Sequence, residues 1–243
     1  AIGAYTSGYL STDVGLAMWL TIPLAALVTG AVAFLMSFPI LRTRGVYMVL
    51  ATFAFAEIVQ VIYINLEVFG AAAGYPVDAY AGLGIIAPVA LGVVVVSFFI
   101  MSTRFGLSMR AVHDDERVAA LFGVNVRMTQ ITAFTLGGLV AGIGGAIWAH
   151  QFQYVEIQNF NVLLSIFVLL YVLIGGTQTA FGPLIGALFF TLVPELLRVS
   201  NDWRFVFFGV VIVMMMVVRP EGIVTRTMTE RVAAILTFLR GAS

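Results

Sequence analysis

The chain of 243 residues contains no cysteine, which excludes disulfides, thiolate catalysis and cysteine-ligated metals while leaving the redox compartment open. Lysine is missing as well, so all twelve basic residues are arginine. A Walker-type phosphate loop needs its lysine, and a retinal or pyridoxal Schiff base needs a lysine amine, so neither chemistry resides here. If ATP drives this protein, another chain binds it. Charge is scarce in general: 10% of residues are charged against 61% hydrophobic, with mean hydropathy +1.07, whereas soluble domains carry about 25% charged residues. Of the two histidines, His113 and His150, neither has a partner at metal-ligand spacing, and His150, beside Trp148, reads as an interface residue. No metal and no cofactor is expected on this chain.

What is present is a succession of apolar runs long enough to cross a ~30 Å hydrocarbon core as helices, without the alternation of a membrane barrel. The runs fall near 14–38, 46–69, 85–101, 128–149, 162–174, 183–197 and 205–218, so the expected fold is an all-α integral membrane protein, a polytopic helical bundle of about seven spans. The fifth and sixth are short and bounded by glycine, joined by an uncharged turn from Gly175 to Pro183. The opening stretch, AIGAYTSGYL, reads as the tail of a helix whose beginning is missing. A single transmembrane domain is expected over 1–243, with a loop at 102–127 and an amphipathic tail at 225–243 suited to the bilayer surface.

Threading the spans alternately gathers Arg42, Arg44, Arg104, Arg110, Arg117, Arg127, Arg219, Arg226, Arg231 and Arg240 on one side and leaves Arg198 and Arg204 opposite. The rich side is cytoplasmic by the positive-inside rule. Trp19, Trp148 and Trp203 all fall at outer ends, where indole prefers the interface.

The segment 104–127 is an island of charge between two greasy runs. It contains a short helix expected over 115–122, with Asp114 as N-cap, Asp115 and Glu116 favouring the dipole in the first turn, and Gly123 as terminator. Ala111, Val118, Leu121 and Phe122 then share a stripe. The segment is either a solvated connector or a lever gripped by a soluble motor domain.

Two further features stand inside the spans. Glu57 lies eleven residues into the second span, about 16 Å deep at 1.5 Å per residue, where a carboxylate faces a bundle interior or a water path. Thr52 and Gln60 are its candidate companions, and structural and path-lining roles both remain open. Gly137, Gly138, Gly142, Gly144 and Gly145 provide small-xxx-small spacings for close helix packing.

Several stretches, taken together, resemble the branched-chain amino acid ABC importer permeases of the LivM type. They are Arg104, Phe105 and Gly106; Arg110 and Ala111; the acidic cluster; Ala119 and Ala120; and Gly123 to Asn125. Ile2 to Thr6, Leu41 to Tyr47 with Thr52, Ala54, Phe55, Glu57 and Ile58, the glycines around Gly175 and Gly182 with Gly186, and Arg219 to Ile223 agree in order and spacing. The resemblance implies a transport subunit without its own ATPase site in the plasma membrane, specifically a bacterial inner membrane, that moves branched-chain amino acids or related small solutes. It implies as partners a second permease subunit, cytoplasmic ATPase subunits and an extracytoplasmic solute-binding protein, in addition to the lipid bilayer, and no nucleic acid. It assigns ATPase coupling to Arg110, His113, Asp114, Asp115, Glu116, Arg117 and Gly123. Arg117 stands where the family's loop carries a glutamate, with Glu116 one position earlier. Gln178 stands where the family has glycine, and 70–84 is shorter than the usual external connection.

An ion- or proton-coupled secondary transporter is the competing class, with Glu57 as a coupling group. Such a transporter has no reason to shape 104–127 as a docking element. An intramembrane protease lacks a nucleophile turn with a histidine at depth.

Overall fold

The computed structural model describes residues 1–176, 181–196, 209, 210, 213 and 214. They divide into two compact units, Ala1–Val162 and Leu163–Ser243. In chain order the first contains α1 (Ile2–Thr12), α2 (Met18–Ile40), α3 (Val46–Asn65), two 3-10 turns (Glu67–Phe69 and Ala71–Ala73), β1 (Tyr75–Pro76), α4 (Leu83–Ser102), α5 (Arg104–Asp114), α6 (Glu116–Leu121), α7 (Val126–Phe152), β2 (Tyr154–Val155) and a third 3-10 turn, Ile157–Asn159. The second holds α8 (Val162–Gly175, counted from its first residue at the boundary) and α9 (Gly182–Leu196).

The architecture is a polytopic helical membrane bundle. Five segments are long and apolar enough to cross a membrane: Met18–Ile40, Val46–Asn65, Leu83–Ser102, Val126–Phe152 and Ile157–Gly175. The sixth expected span, now α9, has 15 residues, which at 1.5 Å per residue reaches about 22 Å. The seventh, like Arg198, Trp203, Arg204, Gln178, the Arg219 to Ile223 motif and the tail at 225–243, lies wholly or mostly outside the described residues. The first expected span starts four residues late, because Gly15 adopts φ +70 and turns the chain between α1 and α2. The second stops at Asn65, where the backbone turns into the 3-10 segments.

The core of the first unit is a three-helix seam built on absent side chains. α2 and α7 run antiparallel, Gly138 against Ala33 and Gly142 against Thr29, so closely that a Cβ on Gly138 would stand 2.3 Å from that of Ala33. α1 lies alongside both, and a Cβ on Gly3 would stand 2.4 Å from the Gly142 carbonyl oxygen. Dispersion contacts between approaching backbones replace the hydrophobic effect where the surroundings are as apolar as the helices. Of the five glycines singled out in α7, Gly138, Gly142 and Gly145 make such contacts, while Gly137 and Gly144 face open space.

α3 and α4 have no buried residue at all. α3 joins the seam at one end only, where Tyr63 stacks on Tyr5 with centroids 4.4 Å apart, amid Phe69, Tyr75 and Val155. In the second unit α8 and α9 pack through glycine in the same manner: a Cβ on Gly186 would fall 1.9 Å from the Tyr171 carbonyl oxygen, and the Tyr171 and Phe190 rings stack at 5.4 Å.

Candidate coupling elbow at the arginine-rich end

The alternating helices put the turn at 41–45, the α4 C-terminus, α5, α6 and the start of α7 at one end of the first unit. Thr103 opens α5 by accepting a hydrogen bond from the Gly106 N–H at 3.4 Å. Gly106 is required there, because a Cβ would lie 2.4 Å from the Met101 carbonyl oxygen. Arg110 reaches back from α5 and donates to that same oxygen at 3.4 Å.

Asp115, not Asp114, caps α6. Asp114 is the last residue of α5, whereas Asp115 leaves the helical region at φ −158, ψ 115, and its Oδ1 accepts from the N–H groups of Arg117 at 2.7 Å and Val118 at 3.1 Å. The island thus makes two helices joined by an extended residue. Arg110, Ala111 and His113 belong to the first, so the expected stripe of Ala111 with Val118, Leu121 and Phe122 does not form on a single helix. Physically, the interrupted backbone at Asp115 breaks the 3.6-residue periodicity on which that stripe depends.

α6 ends as the sequence suggests. Gly123 takes φ +82, a conformation glycine adopts without strain, and the Val124 N–H closes the turn onto the Ala119 carbonyl at 3.1 Å. Asn125 then starts α7, accepting from the Met128 N–H at 3.1 Å. Glu116 is the mechanical link, since its Oε1 accepts from Gln130 Nε2 of α7 at 2.8 Å. Ala119 is buried, but Leu121 and Phe122 at the tip are 86% and 84% exposed. Two large apolar side chains therefore stand free on a short helix that is capped at both ends and tied to α7. Arg117 is exposed beside them.

The residues proposed for a path inside the bundle are not gathered. Thr52 donates to the carbonyl of Val49 in its own helix at 2.7 Å. Glu57 is exposed, and Gln60 is half-buried. At 100° per residue Thr52 stands about 140° around α3 from Glu57, and Gln60 about 60°. Among the described residues no helix covers Glu57, because α3 joins the seam at the Tyr63 end.

At that opposite end lies a polar cluster the sequence reading missed. His150 is fully buried rather than interfacial. Its Nε2 lies 2.8 Å from Ser7 Oγ and 3.2 Å from Thr21 Oγ1, and its Nδ1 lies 3.0 Å from the Ala79 carbonyl oxygen. The Ala81 N–H donates to the His150 carbonyl at 3.0 Å. One histidine thus joins α1, α2, α7 and the segment before α4. The signal available in advance was Ser7 and Thr21, two of several small hydroxyls in these helices. The 70–84 connection is strapped down further by β1 pairing antiparallel with β2, Tyr75 opposite Val155, and by the Tyr75 hydroxyl, which donates to the Asp13 carboxylate. Burial, and then that carboxylate, push the Tyr75 phenol above its ordinary range. Trp19 and Trp148 are at this end, as expected, with Trp148 packed on Phe152 at 4.4 Å.

Long apolar helices, a glycine-built seam and a capped elbow at the arginine-rich end define a multi-pass helical membrane protein. The chain belongs to the branched-chain amino acid transport system / permease component family, whose model matches residues 1–218. It is 30% identical over 263 aligned residues to the high-affinity branched-chain amino acid transport system permease protein LivM of Escherichia coli K12, covering 93% of this chain and 62% of that protein. The LivM of Salmonella typhimurium is 31% identical with the same coverage. The autoinducer 2 import system permease protein LsrC of Klebsiella pneumoniae is 33% identical across 45% of this chain and 34% of its own length. The chain thus spans about three-fifths of the LivM proteins it matches. No solved structure matches it.

Proposed function

We propose that this chain is a membrane-spanning subunit of an ABC importer that moves branched-chain amino acids or related small solutes, driven by ATP hydrolysed on a separate ATPase subunit. The observation that carries this reading is the exposed Leu121 and Phe122 pair on a doubly capped α6. A connector between spans gains nothing from presenting two large apolar side chains to water on a rigid support. A cleft on a soluble ATPase would bury them. Asp115 and Gly123 shape the elbow, Glu116 passes its displacement to α7, and Arg110, His113, Asp114 and Arg117 provide its polar rim.

On this reading the arginine-rich end is cytoplasmic, and an external solute-binding protein meets the strapped end near Tyr75 and Ala79. The uncovered α3 and α4 face a second permease subunit, and Glu57 then lies in that interface rather than in lipid, where a carboxylate would be costly. LivM, named for branched-chain amino acid transport, supports the substrate class. LsrC is named for autoinducer 2 import, and this supports keeping related small solutes within the proposal.

The test is uptake of radiolabelled leucine into vesicles holding this chain with its partner subunits. Uptake that requires ATP hydrolysis and the solute-binding protein is expected. Uptake driven by an imposed ion gradient without nucleotide would overturn the proposal in favour of a secondary transporter.

A further inference from the structure

Beside the elbow, and sharing only Glu116 with it, lies a groove of about 800 Å³ bounded by the turn at 41–45, the start of α3 and the first turns of α7. Three of its lining residues are arginines: Arg42 and Arg44 from the turn and Arg127 from α7. The only acid lining it is Glu116, whose Oε1 is engaged by Gln130. Three positive charges against one negative leave an anion-attracting concavity. Thr43 and Gln130 add polar groups, and Met48, Ala133 and Phe134 provide an apolar wall on the side of the spans.

Ala133 also lines a second groove, of about 850 Å³, running between α2, α4 and α7. That groove presents Leu27, Val93, Ile100, Leu136 and Val140 and no charged residue. Its one hydroxyl, Ser97, donates to the carbonyl of Val93 in its own helix at 2.8 Å. Nothing in it can recognise a polar solute, and a pocket of this kind between crossing-length helices accepts hydrocarbon. The two grooves share Ala133 of α7, one basic and lined by the helix ends, the other apolar and extending along α7 to Ile143.

We propose that this pair of grooves holds one anionic phospholipid, with its phosphate on Arg42, Arg44 and Arg127 and an acyl chain against α7 from Ala133 to Val140. A free phosphate or a nucleotide would satisfy the arginines but leave Met48, Phe134 and the apolar groove without an occupant. Basic pockets between membrane helices on the cytoplasmic side bind anionic headgroups by this combination. Arginine, which forks two N–H donors onto phosphate oxygens, suits the task better than lysine. The proposal does not depend on the coupling reading, since none of the three arginines belongs to α5 or α6.

The test isolates the full chain with its partner subunits from vesicles of mixed phosphatidylcholine and phosphatidylglycerol and measures the lipids retained. Phosphatidylglycerol is expected to be enriched over its share in the vesicle. The R42Q/R44Q/R127Q variant should lose that enrichment, by about fivefold for each arginine removed. R104Q, which removes a charge from the same end outside the groove, should retain it. Equal losses in both variants, or none in either, would overturn the assignment. So would displacement of the lipid by millimolar inorganic phosphate, the signature of a free-anion site. A measurement on the unaltered protein serves even where the triple variant fails to fold. Its melting temperature should rise and saturate as phosphatidylglycerol replaces phosphatidylcholine, and a flat or unsaturating response would refute the site.

Discussion

Truncating the tip of α6 isolates docking from folding. Leu121 and Phe122 are 86% and 84% exposed, so the double variant L121A/F122A removes almost nothing from the packed interior. Exposed substitutions away from caps and cores change stability by about 0.5 kcal/mol or less, and the caps at Asp115 and Gly123 are untouched. Docking into a cleft is different. Burying a leucine or phenylalanine side chain from full exposure contributes roughly 1.5–3 kcal/mol, and alanine retains part of that area. The pair should therefore cost about 2–4 kcal/mol of association with the ATPase, or roughly 30- to 1000-fold in Kd. The assay is titration of the detergent-solubilised permease with its ATPase subunit, with melting temperature measured alongside. An affinity change below about threefold would refute the reasoning, because no large apolar side chain on the elbow is more exposed than these two. Loss of membrane integration with ATPase affinity intact would refute it too, by assigning the tip to lipid.

D115A removes an acceptor shared by two N–H groups and should destabilise α6 by about 1 kcal/mol, read as faster hydrogen exchange over 116–122. D114A, altering the last residue of α5, should leave those amides protected. G142V drives a Cβ into the side chain of Thr29, 2.8 Å away, and the Cα of Ala26, 2.9 Å away. It should cost about 3 kcal/mol or more in thermal stability, while G144A, with open space around it, should be neutral or slightly stabilising. The outer strap should loosen in alkali. Because the Tyr75 phenol is raised above its unfolded value of about 10, its proton contributes stability that is fully present below that pH and is lost as pH rises through the folded value. The melting temperature of the unaltered protein should fall over that range by more than that of Y75F, which has no phenol to titrate.

The spans were legible because twenty-odd apolar residues bounded by polar ones admit few alternatives in lipid. Val46 and Val162 were anticipated to the residue as helix starts, and the ends of the other described spans moved by at most four residues. The elbow was legible in part. Its terminator is a glycine in the conformation glycine is used for, whereas the choice between Asp114 and Asp115 as cap depends on where α5 stops, which no local signal marks. α5 itself was overlooked because its polar face resembles a solvated loop until the Thr103 cap and the Gly106 contact are seen. His150 was misplaced for a related reason. A histidine near a helix end beside tryptophan looks interfacial, and only the arrival of α1, α2 and the strap around it makes the position interior. The setting of Glu57 was not legible because its neighbours depend on how α3 packs, and among the described residues α3 has no buried residue.

α7 runs unbroken for 27 residues, about 40 Å at 1.5 Å per residue. Gln130 near one end carries the load from Glu116, and His150 near the other holds the strap. Glycine contacts along its length lock it to α1 and α2. On the proposed reading, a tug on the elbow would not be lost in the bending of a loop. It would reach the far face as movement of a three-helix block, past the two helices, α3 and α4, that have no buried residue.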